Sequence, residues 1–229
     1  MSFAINCESE EHSERSLDEI FNKIGPCPMD LSSSARIIQS LALALDSLHV
    51  KEISHGFVTS EHCLVDKWGN VRLSEPSSYH QGRSTPVQRW TDNANTDYVY
   101  LAPEVRISDT GVNPFPVDIY ALGVIMHRCL LGTFPTFASP TTAKLCSLVP
   151  QVIPMARHDR QHNISSNQYF ETKPEMSVPE NMLEAMNALR ICLSENPSMR
   201  PGPCAISNAK WIQDAMKHRH TLPFSAFFF

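Results

Sequence analysis

Glycine is scarce in this chain: 8 residues in 229, and no Gly-x-Gly occurs anywhere. Average chains carry roughly 7% glycine, so a glycine-rich phosphate-cradling loop is not expected. No Cys-x-x-Cys is present, and the seven cysteines are an odd number. Neither a disulfide framework nor a zinc site is therefore suggested, and the thiols in apolar runs read as reduced and buried. Basic excess is also missing. The formal net charge is −5, which offers nothing to attract nucleic acid or an anionic membrane. No apolar run approaches the roughly 18 residues of a bilayer span, and the acidic start, MSFAINCESEEHSER, lacks the shape of an export signal. These absences lead to the expectation of a soluble, intracellular, cytoplasmic protein with no nucleic-acid or membrane partner. Proline, by contrast, is plentiful, with 17 residues in the chain.

The apolar pattern predicts mostly helix. Residues 2–7 read as a short strand. Ser16 reads as an N-cap before Leu17, Ile20 and Phe21, with Gly25-Pro26 as the stop. A helix over 32–48 follows from Ile37, Ile38, Leu41, Ala42, Leu45 and Leu48 at 3.6-residue spacing. Two short β runs, 63–65 and 71–73, flank a turn at 66–70, giving a two-stranded hairpin. Residues 74–97 form a long polar loop. A helix over 117–131, entered past Pro114 and Pro116 and closed by Gly132, is apolar nearly all round and is expected at the centre. The polar 133–178 stretch carries one short helix near 142–149. Pro179 opens another helix that turns Met182, Leu183, Met186, Leu189, Cys192 and Leu193 inward, and a last helix covers 204–217.

Five stretches in order carry a resemblance. They are the helix end Leu45-Asp46-Ser47-Leu48-His49 with Ile53-Ser54-His55, and the hairpin of Leu64-Val65-Asp66 and Gly69-Asn70-Val71-Arg72-Leu73. Then come Tyr100-Leu101-Ala102-Pro103-Glu104, the central Asp118-Ile119-Tyr120-Ala121-Leu122-Gly123-Val124-Ile125, and the late run from Cys192 to Pro201. Together, over residues 2 to 215, they resemble the C-terminal lobe of the eukaryotic protein kinase fold. The resemblance implies a mainly α fold with a small β-hairpin, a truncated α+β kinase fold. Residues 1–30 would be a hinge-like strand and first helix, 31–217 the lobe itself, and 218–229 an aromatic tail. The family's N-terminal lobe, with its glycine-rich loop, strand lysine and helix glutamate, is expected to be absent.

The same resemblance implies a lost chemistry. The family's catalytic loop reads His-Arg-Asp-Leu-Lys-x-x-Asn, and here the stretch runs from His55 and Gly56 through Phe57 and Thr59 to His62. Phe57 stands at the base position and cannot accept a hydroxyl proton. Thr59 stands where a lysine neutralises phosphate, and His62 where an asparagine holds metal. The Asp-Phe-Gly metal motif becomes Glu75-Pro76-Ser77, and Asp97 stands where Ser/Thr kinases place a threonine facing the base. His55, Glu104, Asp118 and Arg200 match positions with structural roles, Glu104 and Arg200 as a buried ion pair. A scaffold kept without its chemistry implies a pseudokinase: a regulatory or scaffolding module for another protein, such as a kinase or signalling protein. Neither ATP nor magnesium is expected as cofactor, and no catalytic or metal residue is assigned. The alternative is a divergent Ser/Thr kinase represented by a fragment. Contact surfaces are expected at 74–97, 133–178 and the aromatic tail. Ser84, Thr85, Thr91 and Thr96 are candidate phosphate acceptors. The pairs His158/His162 and His218/His220, and the sequon at Asn163, read as plain surface.

Overall fold

A computed structural model of the chain describes residues 14–74, 97–107, 111–135 and 179–217. The readings placed on residues 2–7, 142–149, the loop phosphate acceptors, the histidine pairs, the sequon and the aromatic tail lie outside these residues.

Helix α1 (Leu17–Ile24) begins where Ser16 accepts a hydrogen bond from the Glu19 amide at 3.1 Å, and it ends at Gly25, whose φ of 65° belongs to the left-handed region. Leu17, Ile20 and Phe21 face inward. Helix α2 (Leu31–His49) starts one residue before the expected position, because Asp30 caps it through the Ser33 amide at 2.9 Å. Its stripe of Ile37, Ile38, Leu41, Ala42 and Leu45 is fully buried, while Leu48 is half-buried. Burying each of the four Ile and Leu side chains of this stripe contributes about 1.5–3 kcal/mol.

The sheet has three strands, not the expected two. Strands β2 (Cys63–Val65) and β3 (Val71–Leu73) pair antiparallel as read, and β1 (Arg15–Ser16) adds to the other edge of β2, with Arg15 opposite Val65. Two residues joined to a helix cap carry no period-2 signal, so only the tertiary pairing reveals β1. Asp66 builds the β2–β3 turn by accepting from the Trp68 and Asn70 amides at 2.9 and 2.8 Å.

The short helix α3 (Pro103–Ile107) follows a 3-10 turn at Asp97–Tyr100. Helix α4 (Pro114–Leu131) is entered at Pro114, because the Asn113 side chain caps the Phe115 amide at 3.2 Å. Every residue from Val117 to Leu130 is buried. By length and hydropathy α4 could span a bilayer, but it is sheathed by the other helices as a core element. Helix α5 (Glu180–Cys192) crosses it closely: a Cβ on Gly123 would sit 2.9 Å from Cys192 Cβ. Leu183 is a correction. It was expected inward and is 51% exposed, because Ala185, Met186 and Leu189 define the buried stripe.

The expected single helix over 204–217 is in fact two, α6 (Pro203–Ser207) and α7 (Lys210–Lys217). The break falls at Asn208, whose backbone (φ −98°, ψ 6°) leaves the helical range and whose side-chain Nδ2 takes the Cys204 carbonyl at 2.9 Å. Helix α2 packs on α4, α6, α7 and β3, and α5 packs on α4 and α7. The core is therefore helical, with the sheet at its margin beside the segment that links α2 to β2.

Candidate functional site

The link from α2 to β2 is organised by one carboxylate. Asp118, in the second turn of α4, is 1% exposed. It accepts from the His55 amide (2.8 Å, Oδ2), the Gly56 amide (2.8 Å, Oδ1) and His49 Nε2 (2.9 Å, Oδ2). Three donors compensate the desolvation of a buried carboxylate. Gly56 lies at φ 74°, where a side chain is disfavoured, so the turn that aims two successive amides at Asp118 suits glycine. The His55 ring is fixed in one tautomer: Nδ1 accepts from the Phe57 amide at 3.3 Å, so Nε2 carries the proton and donates to the Ser74 carbonyl at 3.1 Å.

Residues 57–62 then close in on themselves. Phe57 is buried and meets the His62 ring edge-on, with centroids 4.7 Å apart. Thr59 Oγ1 and His62 Nδ1 are hydrogen-bonded at 2.8 Å. Burial, then the neighbouring His55, push the His62 pKa below its ordinary value, so its ring is neutral near pH 7. This segment therefore presents a benzyl ring, a hydroxyl and a neutral imidazole. It holds no cation, and its one carboxylate, Glu61, is exposed.

The far end of the region is tied by Glu104 on α3 and Arg200 after the 3-10 turn at Pro197–Met199. The pair is bidentate, at 2.6 and 2.8 Å. Arg200 also donates to the Pro116 carbonyl (3.0 Å) and the Ser194 carbonyl (3.0 Å), and its guanidinium lies over the Tyr120 ring. The side chain of Arg200 is wholly buried. Asp97 lies in the 3-10 turn, while Glu75, Pro76 and Ser77 fall outside the described residues. Among the described residues no cluster of His, Cys, Asp and Glu is arranged to hold a metal.

Two features were not read from the sequence. One is a buried chain, Tyr100 to Ser60 to Asp18, that joins three elements. The other is Arg128 on α4, whose guanidinium donates to the carbonyls of Gly132, Phe21 and Gly25 and lies over the Phe21 ring. An arginine inside an otherwise apolar helix was the available signal. Two of its three carbonyl partners, Phe21 and Gly25, are over a hundred residues away, which no spacing rule reports.

A family model of the protein kinase domain matches residues 7–212. The chain belongs to the protein kinase domain family. Curated kinases share its sequence at low identity. Developmentally-regulated protein kinase 1 of Dictyostelium discoideum is 25% identical over 181 residues, covering 78% of this chain and 22% of that protein. CBL-interacting serine/threonine-protein kinase 15 of Arabidopsis thaliana is 28% identical over 117 residues, covering 51% of this chain and 28% of that protein. This kinase-family chain thus spans less than a third of the length of either. A third relative, from Dictyostelium discoideum, is described as a probable inactive serine/threonine-protein kinase; it is 30% identical over 118 residues, covering 51% of this chain and 46% of that protein.

Proposed function

We propose that the chain is a catalytically inactive protein kinase domain that acts as a regulatory or scaffolding module binding another protein, a kinase or signalling protein. The observation that carries this reading is the 57–62 segment. Phosphoryl transfer rests on positioning and on charge neutralisation around the phosphates. A general base adds about 10²–10⁴-fold. Phe57, at the position matching the family's base, has no lone pair, and its ring is already engaged by His62. Thr59, matching the phosphate-neutralising lysine, is uncharged and bonded to His62. His62, matching the metal-binding asparagine, is held neutral by burial. The positions matching the family's structural residues, His55, Glu104, Asp118 and Arg200, are all engaged in the frame described above. The reading includes no ATP or magnesium cofactor and places the protein in the cytoplasm. The relative described as a probable inactive kinase supports it.

The second reading is a divergent Ser/Thr kinase, favoured by the relatives described as serine/threonine-protein kinases. One experiment separates the two. The purified chain is melted with increasing Mg-ATP, and transfer of the γ-phosphate to a generic protein substrate is assayed in parallel. A cooperative melt without a saturable Mg-ATP shift, and no transfer, is the expected result. A saturable shift accompanied by transfer overturns the inactive reading.

A further inference from the structure

Asp18 on α1, Ser60 in the α2–β2 link and Tyr100 at the end of the 3-10 turn come from positions 40 or more residues apart, yet they form one directional chain. The Tyr100 hydroxyl donates to Ser60 Oγ at 2.9 Å, and Ser60 Oγ donates to Asp18 Oδ1 at 2.8 Å. Two backbone bonds close the arrangement. The Ser60 amide donates to the Tyr100 oxygen at 3.3 Å, and the Asp18 amide donates to the Ser60 carbonyl at 3.2 Å. Ser60 and Tyr100 are buried, so these bonds have little competition from water. Burial drives the Tyr100 pKa up, which keeps the phenol protonated and therefore a donor. Beyond Tyr100 the chain runs through Leu101 and Ala102 into α3, which carries the exposed Ile107 and the ion-paired Glu104.

We propose that Asp18, Ser60 and Tyr100 act as a conformational latch that holds residues 97–107 docked on the α2–β2 link and α1, with Ser60 as the positioning residue. The latch works without a charge on the 97–107 segment, because both of its hydroxyls end at a carboxylate already fixed on α1. It therefore keeps the outward side chains of Tyr98 and Ile107 on a preformed surface. The inference does not depend on whether the chain transfers phosphate.

The test is amide hydrogen exchange on the full chain, comparing the parent with Ser60→Ala, Tyr100→Phe and the double variant. Tyr100→Phe keeps the ring that packs edge-on against Phe134, so it removes the hydroxyl alone. Each single variant is expected to raise exchange about tenfold at the amides of Asp18, Leu101, Val105 and Arg106, the scale of one lost buried hydrogen bond. The amides of α4 and of the β2–β3 hairpin should not change. The double variant should add little to either single one, because the relay opens as a unit. Unchanged exchange at residues 101–106 overturns the latch. So does a uniform rise that includes α4, which would mark a general loss of stability rather than the release of one segment.

Discussion

The frame around Asp118 and Arg200 and the segment from Phe57 to His62 lie side by side in the fold and meet burial in opposite ways. In the frame, charges are taken out of water and each is answered. Asp118 receives two backbone amides and an imidazole, and Arg200 binds a carboxylate with both Nη atoms while reaching two carbonyls. At Phe57, Thr59 and His62, by contrast, charge is absent, and contact is made by rings and one neutral hydrogen bond. A buried charge persists only where several donors or acceptors converge on it. The fold therefore holds on to the charges that tie helices together, while the contacts of Phe57, Thr59 and His62 with one another involve no charge. Structural integrity and charge are separable in this region: the frame carries the answered charges, while Phe57, Thr59 and His62 carry none.

The largest expected effect tests the frame. Arg200→Ala leaves Glu104 and the Pro116 carbonyl without their donor and should cost about 3–5 kcal/mol, read as a lower midpoint in urea unfolding. If the loss is below 1 kcal/mol, the two regions do not differ as described. Next, Phe57→Asp tests the proposed inactive reading by putting a carboxylate at the position proposed to match the family's base. It should destabilise the chain by about 3 kcal/mol through lost ring packing, and a phosphotransfer assay should still read zero, because Thr59 and His62 supply no charge. Measurable transfer by this variant would collapse the distinction between the two regions.

Asp118→Asn keeps the shape but replaces a charged acceptor with a neutral one. About 2 kcal/mol should be lost, with faster exchange at the His55 and Gly56 amides. On the neutral side, Thr59→Val removes one uncharged hydrogen bond and should cost only about 1 kcal/mol by the same unfolding measurement. The contrast between these last two is the sharpest single comparison, since both sites are buried and differ mainly in charge.

The smallest effect is graded with pH. Burial first, and then His55, lower the His62 pKa, and burial lowers that of His127 despite its bond to the Thr133 carbonyl. In the unfolded chain both titrate near 6.5, so between that value and their lowered folded values the unfolded state binds more protons. Stability is thus fully present above about pH 6.5 and falls as the pH drops through the folded pKa values. His62→Gln should flatten part of that slope in denaturation midpoints measured from pH 7.5 to 5. An unchanged slope would mean that His62 is not held neutral by its surroundings.

Much of the architecture was legible because it is local. The spacing of Ile37, Ile38, Leu41, Ala42 and Leu45, the cap at Ser16, the stop at Gly25 and the turn at Asp66 each act within a few residues, and the structure follows them. Two departures are tertiary: strand β1 exists only because β2 lies beside it, and Leu183 is outward because α5 presents a different face to α4 and α7. The third is local: the 204–217 helix breaks at Asn208, whose side chain takes the Cys204 carbonyl four residues back. Of the site, the motif positions could be named from their order. Their partners mostly could not: Asp118 meets amides more than 60 residues away, and the Ser60 hydroxyl meets Asp18 and Tyr100 across about 40.

By itself the sequence determined the scarcity of glycine, the residue types at 57, 59 and 62 (Phe57, Thr59 and His62, none of them a carboxylate or a lysine), and the helical periodicities. These are properties of composition and near neighbours, and no folding can add a carboxylate to a benzyl ring. Only the tertiary structure decided which charges would be answered. Convergence of the His49, His55 and Gly56 donors on Asp118, or of three groups on Arg200, requires segments distant in the chain to be brought within hydrogen-bond reach, and packing the helices around α4 does that.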